Sequence, residues 1–436
     1  MTVMTRREMI AVGVAGVPLI SAAMSQGQNA EPEKAIGPML GHVDHEIAMI
    51  WYRPAKEGQY IAQLAGPDAS TKLEATASAK AENDRCISWR FDGLKAGTAY
   101  RYRILHEGKV VAGDPIQRIT TAPMPDAASR TVLTMGSCAS SSKWFEIWSL
   151  MESMKPDALM LLGDTPYIDS SSLKVNRDKH REFIAMPTLA RMGAHTPTWG
   201  TWDDHDFGAN DSDGKVKDKH IIRKVFAEYR TQTNYGDGSE GIYTRFRRGP
   251  VEVFMIDPRY FAQTEPSPVD PLKPTCLGKK QWNWLLENLK ASTATFKILA
   301  TGMIWDDKKN KEKDDWETYA HEREALFDFI GVNKITGVIL IGGDIHVSRH
   351  LRYPMTKRIG YDLHQFIISP LHERTIPSLN VPHPNLLWGE PLPNMFLHLE
   401  CDNTVAPATL TATWIDRTSK THRQVKLTAT DLCAAN

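Results

Sequence analysis

The chain has 436 residues, of which 42% are hydrophobic and 24% are charged, as is typical of soluble globular proteins of two or three domains. Lysine and arginine number 52, as do aspartate and glutamate, so the net charge is zero. No overall positive field favours nucleic acid, and we expect no specific nucleic-acid partner. The mixed charge run KKNKEKDD, residues 308–315, is predicted to be a solvated loop.

Residues 1–30 have the features of an export signal. Arg6 and Arg7 precede an apolar run of 15 residues, 10–24, that ends in small residues. This run is shorter than the roughly 20 residues that span a bilayer. Paired arginines resemble the twin-arginine signal, whose machinery exports folded proteins. We therefore expect a periplasmic or secreted protein that partners the twin-arginine export machinery and has no stable membrane anchor, with an anchor as the alternative.

Residues 37–122 are predicted to form a small antiparallel β-sandwich. The segments EIAMIWYRP and QYIAQLAG alternate apolar and polar residues, as half-buried strands do. Leu94, Tyr100, Tyr102 and Ile104 are spaced to share one face. The string GLKAGTAYRYRI resembles the later part of a fibronectin type III sandwich, in which a leucine and a tyrosine fix a strand corner. A linker rich in proline and alanine follows over residues 120–129.

From residue 130 to the end, apolar strands alternate with helices. Continuous apolar runs occur in TVLTM (131–135), ALMLL (158–162), VEVFMID (251–257), KILATG (297–302) and GVILIGGD (337–344). Helical spacing recurs over residues 144–154 and in KKQWNWLLENL, and a late strand is expected over residues 408–416. The alternation predicts a layered α/β domain over residues 130–436.

Residues with metal-binding side chains follow these strands. They are Cys138 after TVLTM, Asp164 after ALMLL, Asp204 and His205 after residues 199–202, and Asp344 and His346 after GVILIGG. Ligands of α/β domains bind beyond the carboxyl ends of strands, so we expect these side chains to meet at one edge. The carboxylates crowded into GTWDDHDFGAND repel one another unless a cation offsets the cost. A solvated acidic turn is the alternative.

The types of ligand narrow the choice of metal. Thiolate, imidazole and the phenolate of Tyr167 suit iron or zinc, whereas carboxylates and carbonyls suit calcium or magnesium. The sequence contains no HExxH, GxSxG or P-loop string, so the common signatures of metalloproteases, esterases and nucleoside triphosphatases are absent. Five cysteines leave at least one thiol unpaired, with Cys401 and Cys433 as a possible disulfide.

The motifs occur in the order GSC, GDTPY, TWDDHD with GAND, IDPRYF, LGKKQWNWLLENL and GGDIH. This order resembles the PhoD-like alkaline phosphatases, which are relatives of the metallophosphoesterases. The resemblance is close over about residues 130–350, and the predicted sandwich matches the family's N-terminal domain. It implies a four-layer α/β/β/α catalytic domain with a metal cluster between the sheet edges.

The resemblance also implies the metal ligands. Cys138, Asp164, Tyr167 and His346 would bind Fe³⁺. Asp164 would bridge to Ca²⁺, with Asp204 and Asp344 on that second side, where Zn²⁺, Mn²⁺ or Mg²⁺ are alternatives. Two of the proposed ligands have structural alternatives, namely a plain buried thiol at Cys138 and core packing at Tyr167.

Four further residues have roles implied by position in the family pattern. Asn210 would join the second metal or contact phosphate, and His205 would protonate the leaving group or serve only as a hydrogen-bond partner. Asp203 and Asp206 are expected to be turn or supporting residues. Pro258 stands where the family usually has threonine, which leaves open whether Arg259 faces the phosphate or fixes the loop.

The sequence therefore predicts an exported phosphoesterase that hydrolyses small-molecule phosphate monoesters, diesters or both. Metal-activated hydroxide would attack phosphorus while His205 protonates the departing oxygen. A phospholipase-type diesterase acting on lipid headgroups is the alternative within enzymes. An extracellular binding protein with an inactive hydrolase domain is the alternative from another class.

Overall fold

A computed structural model describes residues 34–68, 72–113, 117–141, 146–310 and 312–434. The predicted export signal lies outside these residues. The described residues before residue 121 contain the strands β1 Ile36–Val43, β2 Ala48–Arg53, β3 Gly58–Ala65, β4 Lys72–Ala79, β5 Ile87–Phe91, β6 Ala99–His106, β7 Lys109–Ala112 and β8 Arg118–Thr120. They form the sheets β1-β2-β5 and β4-β3-β6-β7, with β8 paired to β6, and all pairings are antiparallel.

The two small sheets enclose one apolar core that includes Leu94, Tyr100, Tyr102 and Ile104. The hydroxyl of Tyr100 accepts a hydrogen bond from the Lys95 N–H at 2.8 Å, so this tyrosine joins its strand to the preceding corner. The expectation of half-buried strands is wrong for β2, which is buried along nearly its whole length. The reason lies in the tertiary structure, in which Trp51 contacts a distant helical segment. Trp51 is fully buried and donates from Nε1 to the Glu228 carbonyl at 2.7 Å.

Two larger sheets are built from the rest of the chain. Their strands are β9 Arg130–Gly136, β10 Ala158–Leu162, β11 Thr198–Thr201, β12 Thr244–Arg248, β13 Val251–Met255, β14 Phe296–Ala300, β15 Val338–Gly342, β16 Ser348–Tyr353, β17 Leu363–Ile367, β18 Leu386–Glu390, β19 Met395–Asp402, β20 Thr409–Asp416 and β21 Thr421–Thr428. The helices are α1 Glu146–Ser153, α2 Leu173–Ile184, α3 Pro187–Gly193, α4 Asp204–Phe207, α5 Lys219–Tyr229, α6 Gly278–Ala291, α7 Ala320–Val332 and α8 Thr356–Ile359.

One sheet has the order β11-β10-β9-β19-β20-β21 and the other β12-β13-β14-β15-β17-β16-β18. Their facing side chains form the largest core, in which Trp199 of β11 stacks on Phe246 of β12. Trp414 of β20 also donates to the Ile367 carbonyl of β17 at 3.0 Å. Helices α1 and α3 pack on the first sheet, and α6 and α7 pack on the second. The predicted four-layer α/β/β/α architecture is confirmed.

The parallel strands of both sheets direct their carboxyl ends to one edge. Strands β9, β10 and β11 are parallel in the first sheet, and β13, β14, β15 and β17 are parallel in the second. Two glycines allow the strand-end loops to approach closely. A Cβ at Gly163 would lie 2.6 Å from Cβ of Asp203, and one at Gly343 would lie 2.5 Å from Cβ of Ser137.

Candidate metal centre

The residues after the strand ends have unusual backbone conformations. Cys138, Asp164, Asp344 and His346 have φ values of 55°, 51°, 66° and 53°. Such left-handed angles are uncommon for residues other than glycine and concentrate at functional sites, where surrounding contacts hold them. Here the contacts are backbone hydrogen bonds, such as that from the Cys138 N–H to the Gly163 carbonyl at 3.2 Å. Four strand-end residues are therefore held in one constrained arrangement.

The first group of possible metal donors consists of Cys138, Asp164 and His346, whose donor atoms lie within 4.8 Å of one another. Sγ of Cys138 is 3.6 Å from Oδ2 of Asp164 and is fully buried. The hydroxyl of Tyr167 lies 2.9 Å from Nε2 of His346. The structure thus brings together the four residues that the resemblance assigns to iron, and their donor types suit a transition metal.

Asp164 also belongs to a second group of donors, with Asp204 and His205. A third group consists of Asp204, Asp211 and Asp314, so Asp204 connects it to the second. Oδ2 of Asp204 accepts a hydrogen bond from the Asp211 N–H at 2.7 Å, which fixes the loop after α4. The three groups form a continuous series of donors that share one carboxylate at each step.

A cleft of about 460 Å³ opens onto these donors. The predicted residues that line it are Asp164, Tyr167, Asp204, His205, Asn210, Asp344 and His346. Cys138 lies behind this surface at 0% exposure. Residues that sequence analysis did not select also line the cleft, namely Asp211, Lys308, Glu312, Glu373, Arg374, Ile376 and Leu379. Asp211 belongs to the acidic segment GTWDDHDFGAND. The others come from two segments, 308–312 and 373–379, whose sequences carry no metal-binding motif, so only their approach in the fold reveals them.

His205 is held at the edge of the donor series. Its Nδ1 lies 2.5 Å from Oδ1 of Asp169, and its ring centroid is 4.5 Å from that of Tyr167. The Asp169 N–H also donates to the His205 carbonyl at 3.1 Å. Asp169 was not among the predicted residues, although its place shortly after GDTPY is the only sequence signal that could have indicated it.

Asp206 and Asp203 support the turn around Asp204, as predicted. They form a capping box at the first residues of α4, and Asp206 also accepts hydrogen bonds from the backbone N–H groups of Asp164 and Thr165. Arg259 donates from Nε to Oδ1 of Asp203 at 2.6 Å and is 2% exposed. Its side chain fixes the loop, which decides between the two roles that the sequence left open.

The prediction of a solvated loop over residues 308–315 is wrong for three of its members. Lys308, Asp314 and Asp315 are 3%, 4% and 3% exposed. Nζ of Lys308 lies 2.6 Å from Oδ2 of Asp344 and 2.7 Å from Oδ1 of Asp314. Lys308 and Asp314 are buried because each has an opposite charge within hydrogen-bonding distance. Asp315 accepts hydrogen bonds from the Lys308 and Thr318 backbone N–H groups.

The electrostatics of the site favour a bound cation. Burial raises the pKa of Cys138 to about 12, although hydrogen bonds from Ser137 and Ser369 oppose the shift. Burial, Cys138 and Asp204 raise the pKa of Asp164 well above its usual range. A metal ion reverses this preference because it stabilises thiolate and carboxylate. The donor types and their crowding therefore fit metal ions.

The pKa values on the Lys308 side show the balance between burial and charge. Burial raises the pKa of Asp344 to about 7, while Lys308 opposes the shift. Burial and Asp314 raise the pKa of Asp211 to about 6. For Lys308 burial alone would lower the pKa, but Asp344 and Asp314 outweigh it and hold the pKa well above its usual range. Lys308 is therefore a cation within the acidic end of the donor series.

All five cysteines lie in the described part of the chain, and none of them forms a disulfide. Cys401 is buried in β19, whereas Cys433 is exposed near the end of the chain. The pairing of these two residues that the sequence allowed is therefore not formed.

The four-layer fold and the thiol, phenol, imidazole and carboxyl donors at its shared edge define a protein of the metallophosphatase type. A model of the PhoD-like phosphatase family matches residues 133–385, which is more than half of the chain. The chain belongs to the PhoD-like phosphatase family.

Among curated relatives, the chain is similar to alkaline phosphatase D of Bacillus subtilis (strain 168). The two sequences are 23% identical over an alignment of 327 positions, and the match covers 63% of this chain and 55% of that protein. The chain thus matches little more than half the length of this relative.

Solved structures share the fold. The structure of PhoD has a TM-score of 0.74 at 18% identity and covers 90% of this chain and 88% of its own. A purple acid phosphatase from seeds of yellow lupin (Lupinus luteus) has a TM-score of 0.68 at 10% identity, with 93% and 78% of the two chains covered. Among the described helices, none combines the length and apolar character needed to cross a bilayer.

Proposed function

We propose that this protein is a metal-dependent phosphoesterase that hydrolyses small-molecule phosphate monoesters, diesters or both. The observation that carries the proposal is the sharing of Asp164 between two donor groups, one with Cys138 and His346 and one with Asp204 and His205. A carboxylate shared in this way can bridge two metal ions, and paired ions are the usual arrangement for phosphoryl transfer to water.

The proposed metals follow from the donor types. Cys138, Asp164, Tyr167 and His346 would hold Fe³⁺. Asp164, Asp204 and Asp344 would hold Ca²⁺, or Zn²⁺, Mn²⁺ or Mg²⁺ in its place. Bound metal ions supply Lewis-acid stabilisation of the phosphoryl oxygens and lower the pKa of water at the site. Asn210, exposed on the cleft wall, is proposed to contact either the second metal or the phosphate.

His205 is proposed to protonate the departing oxygen. The carboxylate of Asp169 at Nδ1 fixes the imidazole, so that in the protonated ring Nε2 is the nitrogen that can give a proton to the substrate. A group placed in this way accelerates the loss of a poor leaving group, whereas a good leaving group departs with little help.

We further propose that the protein is exported by the twin-arginine machinery and acts in the periplasm or outside the cell. This proposal rests on Arg6, Arg7 and the apolar run that follows. The proposed domains are a signal at residues 1–30, a β-sandwich at 37–122 and a catalytic domain at 130–436. The separate apolar core of the two small sheets supports the division between the β-sandwich and the catalytic domain.

The deciding experiment combines elemental analysis with a substrate panel. Protein recovered after native export is tested with p-nitrophenyl phosphate, bis-p-nitrophenyl phosphate and a phosphatidylcholine vesicle. We expect hydrolysis of a small phosphate ester that Asp164→Asn abolishes together with bound metal, while the surface variant Asp270→Asn keeps both. Metal-loaded protein that hydrolyses none of the three would support the binding-protein alternative, and zinc as the sole metal would overturn the iron assignment.

A further inference from the structure

Lys308 is a buried cation at the acidic end of the donor series. Its ammonium lies 2.7 Å from Oδ1 of Asp314 and 2.6 Å from Oδ2 of Asp344. A third carboxylate, that of Glu312, lies 3.4 Å away. The position between Asp314 and Asp344 is one that a metal ion could otherwise take, because carboxylates from two loops converge there.

The loop around Lys308 is held from several sides. The Lys308 N–H donates to Oδ2 of Asp315 at 2.9 Å, and Oδ1 of Asp315 accepts from the Thr318 N–H at 3.0 Å. Trp316 stacks on Trp305 with ring centroids 4.4 Å apart. The lysine is therefore part of a packed segment. Its ammonium is held against the carboxylates by that packing, unlike the ammonium of a mobile surface lysine.

Asp314 has a second cation on its other oxygen. Nη2 of Arg259 lies 3.2 Å from Oδ2 of Asp314, while Lys308 faces Oδ1. Asp314 is thus neutralised within the chain by two cations, although its position also places it in a possible donor group with Asp204 and Asp211. Each cation is shared with a second carboxylate, Lys308 with Asp344 and Arg259 with Asp203, so the chain itself supplies two positive charges where carboxylates would otherwise attract a metal ion.

We infer that Lys308 acts as a built-in cation that takes the place of one metal ion between Asp314 and Oδ2 of Asp344, and so confines metal binding to the Asp164 side of the cleft, where Oδ1 of Asp344 would join the second metal. This inference rests on the proposed metal-dependent function. It makes Lys308 a positioning residue, since its ammonium sets which carboxylates are free to bind metal. An ammonium fixed by the chain gives the same neutralisation at every concentration of free metal.

The test is a count of bound metal in the wild type and three variants. Wild type, Lys308→Met and Lys308→Arg are saturated with Ca²⁺, freed of excess and measured by elemental analysis, with Lys309→Met as the control at the neighbouring exposed position. We expect Lys308→Met to gain about one Ca²⁺ per chain, while Lys308→Arg and Lys309→Met keep the wild-type count. An unchanged or lower count in folded Lys308→Met overturns the inference.

A second measurement needs only the wild-type protein. Reductive methylation followed by mass spectrometry reports whether Nζ of Lys308 is accessible with and without Ca²⁺. We expect Lys308 to stay unmodified in both states and Lys309 to react in both. Methylation of Lys308 on metal loading would show that the metal displaces it, which overturns the inference. Wild type that fails to hydrolyse the ester panel would count against the proposed function alone, since metal counts are measured independently.

Discussion

Nδ1 of His205 lies 2.5 Å from the carboxylate of Asp169, at the edge of a cleft lined with metal-binding side chains. The Ile168 and Asp169 N–H groups donate to the His205 carbonyl at 2.9 and 3.1 Å. Three hydrogen bonds thus join the segment after GDTPY to the first turn of α4. A carboxylate on one ring nitrogen fixes the tautomer and orientation of an imidazole, so Asp169 positions His205 for proton transfer.

This relationship predicts effects that depend on the leaving group. His205→Ala should slow hydrolysis of alkyl phosphate esters by roughly 10²–10⁴-fold and of p-nitrophenyl esters distinctly less, with bound metal unchanged. Asp169→Asn should also slow alkyl esters more than p-nitrophenyl esters, with a smaller loss of rate than His205→Ala. In a His205→Ala background it should cause little further loss of rate, because the two residues act together. Steady-state rates with both ester types check this. Equal slowing of both esters with loss of metal would identify His205 as a ligand instead.

Asp204→Ala serves as the contrasting variant. The Asp204 carboxylate belongs to two donor groups, so its removal should lower the content of the second metal and slow both ester types alike. Elemental analysis beside the same kinetic assay separates this outcome from that of His205→Ala. Retained metal together with unchanged rates would show that Asp204 serves only to hold the loop through Asp211.

Tyr167 is expected to give the iron-loaded protein a visible colour. Its hydroxyl lies 2.9 Å from Nε2 of His346, a proposed ligand of the same ion. A phenolate bound to Fe³⁺ has a charge-transfer band, so Tyr167→Phe should bleach or strongly shift that band. Cys138→Ser should perturb it and lower the iron content. An unchanged visible spectrum in folded, iron-loaded Tyr167→Phe would establish that Tyr167 is a packing residue.

Arg259 should be required for stability. Its guanidinium pairs with Asp203 and Asp314, and all three side chains are at most 4% exposed. Arg259→Met leaves two carboxylates buried with less compensation and should cost about 3–5 kcal/mol in free energy of unfolding. The exposed pair Arg191–Glu152 provides the control, since Arg191→Met should cost about 1 kcal/mol or less. Urea unfolding monitored by circular dichroism measures both, and equal losses would contradict the prediction.

Two buried histidines should make the protein less stable in mild acid. Burial lowers the pKa of His350 to about 3, with His364 adding to the shift. Burial and Arg352 lower the pKa of His364 to about 4. The unfolded chain binds protons near the ordinary pKa of 6.5, which the folded protein binds only at lower pH. Stability is therefore full above about pH 6.5 and falls as the pH decreases toward about 4.

The variant His364→Gln tests this assignment. It should reduce the loss of unfolding free energy between about pH 7.5 and about pH 5 by about 2 kcal/mol, since one pKa unit corresponds to about 1.4 kcal/mol. His220→Gln, at an exposed position, is the matched control. Urea unfolding at both pH values gives the comparison. A pH dependence equal to that of wild type would assign the acid sensitivity to other groups.

The sequence by itself determined the layered fold and the positions of most proposed ligands. Strands buried on both faces are continuous apolar runs, and the residues directly after them must lie at a sheet edge. Cys138, Asp164, Asp344 and His346 could therefore be predicted from the strands that precede them. The local sequence pattern is sufficient to predict these strands, because a central strand that is buried on both faces consists of apolar residues.

Only the tertiary structure decided the environment of Lys308, Asp314 and Asp169. Each stands in a charged or polar segment whose pattern is that of a solvated loop. Burial of a charge depends on a partner, and the partner is distant in the chain, as with Arg259 and Asp314, which are 55 residues apart. The same reason explains β2, whose outer face is covered by a helix that begins far along the chain. The local sequence shows that a charged group is unfavourable to bury, whereas the contact that compensates for its burial exists only once the chain has folded.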